Sequence, residues 1–197
     1  MFIKNSFNKG IILTSLGSFW WGFLGVIYFK FIAYAGPIEV VVHRSIWTTV
    51  TLLFTTLIFS KWFKIKEIFN LKKKLFILFV SGLLIFTNWS TWIYAVWNNQ
   101  VIDASFGYFI MPIISIFFGY FFYKEKLSKK GFFSVFIVLV SILYLLLTNF
   151  QNIPWVGLIV ALSWSVYNLL KKKVLIDTDI GLLVESLYLL PFVLIIF

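Results

Sequence analysis

Cysteine is absent from the 197 residues, histidine occurs once, at His43, and arginine once, at Arg44. Without thiols there is no disulfide framework, no thiolate metal site and no cysteine nucleophile, and one imidazole makes no histidine cluster. Charge is also scarce: 12% of the residues are Asp, Glu, Lys or Arg, and only 7 of them are acidic. Neither H-E-x-x-H nor G-x-S-x-G occurs, and the scattered polar residues inside apolar runs form no nucleophile–base pair, so an enzyme is not expected. No G-x-x-x-x-G-K-[S/T] loop is present either, which leaves ATP drive from this chain without support. No cofactor is implied by any of these patterns.

What the chain does have is apolar length. Hydrophobic residues make up 61% and the mean hydropathy is +0.99, whereas a soluble domain is roughly half apolar and a quarter charged. A soluble fold is excluded. The net charge of +10 invites a nucleic-acid reading, but the lysines sit in short gaps between apolar runs rather than on a folded basic face, so no nucleic acid is expected as partner. The first apolar run lacks a small-residue cleavage site and is long for a signal-peptide core, so it reads as a retained helix.

A membrane span needs about 20 apolar residues, because hydrocarbon offers no partner for backbone N–H and C=O groups and only a helix satisfies them internally. About seven segments meet that need: 10–31, 38–60, 75–97, 103–123, 131–150, 154–170 and 180–197. The last division falls at the turn-like N-F-Q-N-I-P ending on Pro154. The expected fold is an all-α integral membrane protein surrounded by lipid bilayer. Of the 17 basic residues, 15 lie in the N-terminal tail and in the second, fourth and sixth gaps. By the positive-inside rule these all face the cytoplasm, with the N-terminus inside and only Lys30 and Arg44 toward the other face. Phe197 ends the sequence inside an apolar run, so a chain cut short at its C-terminus is the expectation.

Five motifs in order carry a resemblance: E-V-V-V-H-R-S-I-W at 39–47, N-W-S-T-W-I-Y-A-V-W-N-N at 88–99, D-A-S-F-G-Y-F-I-M-P-I at 103–113, Y-K-E-K-L at 123–127 and L-L-V-E-S-L-Y-L-L-P at 182–191. With these the chain resembles the drug/metabolite transporter superfamily, EamA type, and within it the RarD-like permeases named for chloramphenicol sensitivity. The resemblance implies ten helices in two inverted five-helix repeats, with substrate bound between them and moved by alternating access. On that scheme residues 1–150 form the first repeat and 151–197 the start of a second. Met111 departs from the family pattern, which has Asn before the proline, and the last three helices of the ten are not in the sequence. Weak internal similarity fits the repeat: S-F-W-W-G-F in the first span matches L-S-W-S-V-Y-N in the sixth, and Val41-Val42-His43 matches Leu183-Val184-Glu185.

The implied activity is that of a secondary transporter in a bacterial plasma membrane, moving a small organic metabolite or drug-like solute. The rival is a transport-incompetent remnant or an assembly partner, and a homodimer or a second chain completing the bundle remains open. Candidate substrate-binding or coupling residues are His43, Arg44, Asn88, Trp92, Tyr94, Tyr108, Asn168 and Glu185. His43 and Arg44 lie about a turn inside the second span, where charge is costly and calls for a partner or a wet cavity; pairing of Arg44 with Glu39 is the local alternative. Glu185 is the carboxylate set well inside a span, suited either to proton handling or to a hydrogen bond across a helix interface. Asn88, ~20 Å along its helix from Leu75, needs a partner in the bundle or the pathway. Trp92 and Tyr94 suit an aromatic cavity or an interfacial belt. Ser105, Gly107, Tyr108 and Pro112 suit a hinge, while Ser18, Gly22 and Gly25 suit close helix packing.

Overall fold

The computed structural model describes residues 2–32, 34–149 and 153–196, and every regular element among them is helical. α1 (Phe2–Phe19) passes through a π-helical turn (Trp20–Gly25) into α2 (Val26–Phe31). Then follow α3 (Pro37–Ile58), α4 (Trp62–Phe69), α5 (Lys72–Trp97), α6 (Val101–Tyr123), α7 (Lys129–Asn149), α8 (Trp155–Val174) and α9 (Thr178–Ile196). Pro37 opens α3 at a position where its missing N–H costs nothing. α6 and α8 end on Lys124 and Leu175, both in the left-handed region that closes helix C-termini.

Among the described residues six segments are long and apolar enough to cross a membrane: Asn8–Phe31, Pro37–Ile58, Lys72–Trp97, Val101–Tyr123, Lys129–Asn149 and Thr178–Ile195. The protein is an all-α integral membrane protein, as expected. The number is six where the sequence suggested about seven, and the difference is α8. It forms a 20-residue helix where 154–170 was expected, but Ser163, Ser165, Asn168 and Lys171 to Lys173 lower its hydropathy. Its place in the bundle accounts for that composition: α8 packs against both α5 and α6, so protein covers much of the surface that lipid would otherwise meet. The expected break before Pro154 separates α7 from α8, although residues 150–152 and Phe197 lie outside the described residues.

Besides the α6–α8 contact, packing concentrates in α3, α5, α8 and α9: α3 lies against α9, and α5 against α9, α8 and α3. Along α5 the buried residues Leu78, Ser81, Ile85, Asn88, Trp92 and Ala95 recur every three or four positions, which is the stripe of a helix facing a core. The core has three tiers. Ile65, Ile68, Leu78, Val174, Ile180 and Val184 fill the end that carries the lysine clusters. Ile85, Trp89 and Tyr167 fill the middle, and Phe29, Val41, Trp92, Val96, Ala104 and Val160 fill the opposite end. α4, unforeseen in the lysine-rich gap, is a short amphipathic helix that inserts Ile65 and Ile68 into the first tier.

Gly107 and Gly157 set the α6–α8 crossing. A Cβ on Gly107 would collide with the backbone of Gly157, and one on Gly157 with the carbonyl of Asp103. The first span behaves otherwise, and the expected close packing through Ser18, Gly22 and Gly25 is not formed. Ser18 is exposed, nothing approaches within 4 Å of a Cβ at Gly22, and the atoms nearest a Cβ at Gly25 belong to Trp20 and Trp21 of its own helix. This helix touches the bundle instead through large side chains, Trp21 and Phe29, which hold its backbone away.

Candidate functional site

Arg44 leaves α3 toward the helices around it, and its guanidinium lies against three aromatic faces. The ring of Trp89 is 4.3 Å away, that of Trp21 5.1 Å and that of Phe29 5.6 Å. The π-helical turn contains Trp21 and resets the phase of the helix there; such turns are frequent at functional sites. Trp92 joins the cluster by tilting against Trp21, with centroids 6.2 Å apart, and by an edge contact to Tyr108 at 5.6 Å. Tyr108 is close enough to the guanidinium to interact with it electrostatically. Cation–π contacts of about 1 kcal/mol each, over three rings, are comparable with the about 2.5–3.5 kcal/mol that a charge inside a span costs. They balance energy but not charge. The local alternative, pairing with Glu39, is not formed, no carboxylate within ion-pair distance of Arg44 is found among the described residues, and its buried Nη1 has no hydrogen-bond partner.

Beside this cluster a cavity of about 490 Å³ opens between α2, α3 and α9. Tyr28, Phe29, His43, Arg44, Trp47 and Thr51 are on its wall, and Leu182 of α9 closes the far side. His43 is therefore exposed on the cavity side of α3, one residue from Arg44.

Glu185 occupies a second polar site, fully buried on α9. Its Oε1 accepts hydrogen bonds from Ser81 Oγ at 2.6 Å and Lys171 Nζ at 2.9 Å, and its Oε2 accepts one from Tyr167 at 3.2 Å. Every donor comes from a neighbouring helix. Tyr167 and Lys171 stand four apart on α8, so both present to the same face of α9. Two glycines make the room: a Cβ at Gly82 would press on the backbone of Glu185, and one at Gly181 would occupy the space of the Lys171 ammonium. The cluster is a satisfied ion pair across helices, not a lone protonated acid. Three further pairs tie the same end of the bundle, Lys61 to Asp179, Lys64 to Asp177 and Lys172 to Glu125.

The remaining candidates do not gather at either site. Asn88 is buried, and its Nδ2 donates to the Val160 carbonyl and to Ser163 Oγ, both at 3.1 Å. It clamps α5 to α8. Tyr94, two residues from Trp92 and so turned away from it, is half-exposed on an apolar groove with Pro37, Val42 and Phe86. Asn168 is exposed on α8 in a small cleft near the lysine-rich end, with Ser115, Tyr123 and the Glu125–Lys172 pair. Met111, the departure from the family pattern, uses its backbone carbonyl to accept a hydrogen bond from Ser165 at 3.2 Å. Sequence reasoning missed Trp21, Phe29 and Trp89 around Arg44, and Ser81, Tyr167 and Lys171 around Glu185. The four-residue spacing of Tyr167 and Lys171 is the available signal, but in the sequence Lys171 reads as one of the lysines of the sixth gap.

Residues 8–147 match the EamA-like transporter family. The chain belongs to that family. It is 33% identical over 184 residues to Protein RarD of Salmonella typhi and to Protein RarD of Escherichia coli (strain K12), alignments covering 93% of this chain and 62% of each relative. It is also 33% identical over 190 residues to the uncharacterized transporter YojE of Bacillus subtilis (strain 168), with the same coverage. Chloramphenicol-sensitive protein RarD of Pseudomonas aeruginosa is 24% identical over 158 residues. The chain spans 62% of the length of the first of these relatives, and no solved structure matches it. The expected EamA type and RarD-like affinity are thus borne out. With bacterial relatives and helical spans, this EamA protein is a multi-pass inner-membrane protein.

Proposed function

We propose that the protein is a secondary transporter that moves a small organic solute across the inner membrane by alternating access, with the N-terminus cytoplasmic. The observation that carries this reading is the Arg44 cluster. A charged residue, unpaired, aromatic-lined and open to a cavity between spans, is what a solute pathway needs and what packing alone does not call for. Residues 1–150 act as the first five-helix repeat and 151–197 as the start of the inverted second. In that scheme α3 and α9 are corresponding helices, and each brings one costly ionisable side chain into the bundle, Arg44 and Glu185.

The two sites are joined by packing. Trp89, which stacks on Arg44, shares a buried cluster with Tyr167, which donates to Glu185, and Leu182 packs on that cluster while closing the Arg44 cavity. A solute that shifts Trp89 therefore presses on the helix pair holding the Glu185–Lys171 bond. This contact is the proposed route by which solute movement is coupled to a proton gradient. The test is uptake into proteoliposomes of a panel of labelled organic solutes under an imposed pH gradient. Gradient-dependent uptake that is abolished in Arg44→Ala and uncoupled from pH in Glu185→Gln supports the reading. Uptake of the whole panel no faster than in protein-free vesicles would overturn it.

A further inference from the structure

We infer that the Arg44 cavity binds a small organic monoanion, a carboxylate on a flat apolar body, and this rests on the transporter reading above for its placement in a solute pathway. The first ground is charge. The guanidinium stays protonated in any protein setting, yet no ion pair neutralises it among the described residues, and no carboxylate lines the cavity beside it. A cation whose positive charge is left unmatched inside the bundle is a place for an anion.

The second ground is unmet hydrogen bonding. Arg44, on the cavity wall, has a buried Nη1 donor without an acceptor. It lacks an acceptor rather than a donor, and a carboxylate is acceptor-only with two oxygens for a guanidinium fork. The third ground is what the site excludes. The ring faces of Trp89, Trp21 and Phe29 are already occupied by the guanidinium itself. A cationic solute would meet its repulsion. Size and charge number set the rest: about 490 Å³ admits a single-ring solute, and one arginine matches one negative charge rather than a phosphate dianion. The hydroxyls of Thr48 and Thr51 on the same wall are suited to the solute's polar edge.

The probes are three single-ring compounds of the same shape and different charge: benzoate, benzamide and benzylamine. Binding is read by tryptophan fluorescence and by calorimetry on the purified chain in nanodiscs of phosphatidylcholine. Benzoate is expected to bind at least about tenfold more tightly than benzamide, with benzylamine weaker still. Arg44→Gln should abolish the preference, and Arg44→Lys should keep it in weakened form because a point charge lacks the fork. Unchanged thermal melting of Arg44→Lys guards against misfolding. Benzamide or benzylamine binding as tightly as benzoate, or benzoate binding untouched by both variants, overturns the inference. So does Arg44-dependent binding of phosphatidylglycerol with no benzoate binding, which assigns the charge to a lipid headgroup. The two readings fail separately: gradient-driven uptake of neutral or cationic solutes only would leave the transporter and remove the anion site, whereas benzoate binding with no flux of any solute would do the reverse.

Discussion

Asn88 and Glu185 show how differently a polar residue inside a span can be used. Both amide hydrogens of Asn88 go to α8, so its work is helix docking. Asn88→Ala should lower unfolding stability in detergent by about 1–2 kcal/mol while solute uptake, corrected for folded protein, stays near the parent level. Loss of uptake at full stability would instead put Asn88 in the pathway. Glu185 and Lys171 form a pair that is 0% and 16% exposed at the side chain. Removing one partner of a buried pair costs about 3–5 kcal/mol, while an apolar replacement of both is close to neutral. Lys171→Met should therefore unfold far more readily than the parent, and Lys171→Met with Glu185→Leu should regain most of the loss in a denaturant titration. Glu185→Gln is expected to be mild, since Lys171 retains some access to water. The sequence pointed to Glu185 as costly and to Arg44 as unusual, because single charges stand out in apolar runs. It did not tell which would be paired, since the partners lie on other helices: Lys171 is 14 residues from Glu185, Ser81 is 104 residues away, and the rings on Arg44 come from α2, α5 and the π-helical turn.

At the scale of the helix, glycines with the same local sequence signal do opposite things. Gly107→Leu has no room at the α6–α8 crossing and should fail to give a cooperatively melting protein, whereas Gly22→Ala should melt at or above the parent temperature, by helix propensity worth about 0.5–1 kcal/mol. Fluorescence-detected size exclusion on heating separates the two. The lysine-rich end is laced by exposed ion pairs between α4 or its preceding turn and the start of α9. The hydrogen bond to Asp177 raises the Lys64 pKa, so the lysine's side of this tie is charged at neutral pH and is lost as the pH climbs through that raised value. Lys64→Asp should weaken the α4–α9 tie, and Lys64→Asp with Asp177→Lys should restore it; 0.5 M salt should shrink the difference, since such pairs are screened. Protease accessibility of the α8–α9 turn reads the effect. α4 itself was hidden in the sequence by its charged neighbours in the gap, and only its packing against α5 and α9 shows why Ile65 and Ile68 are there.

For the whole molecule the open question is orientation, and the absence of cysteine makes it accessible. In spheroplasts, single cysteines at Lys66 and Lys126 should resist a membrane-impermeant maleimide until the membrane is broken, while cysteines at Asn99 and Tyr34 should label at once. The reverse pattern would invert the topology and put the Arg44 end on the cytoplasmic side. The α1 and α7 spans bury 0% and 6% of their apolar windows, so lipid or another helix surface is what they meet; the solvent of these faces is apolar either way.

The sequence by itself determined that this is a helical membrane protein, roughly where its spans lie, which end collects the lysines and which family it joins. Those features depend on hydropathy over 20-residue windows and on local motifs, and both are written along the chain. Tertiary structure decided the rest. Whether α8 needs a lipid-facing surface, whether a glycine is a crossing point or an idle position, and whether Arg44 or Glu185 finds a counter-charge all depend on which helix faces are opposed. In a bilayer the hydrophobic pattern does not encode those faces, because lipid and protein interior are equally apolar and a span looks the same on its buried and exposed sides.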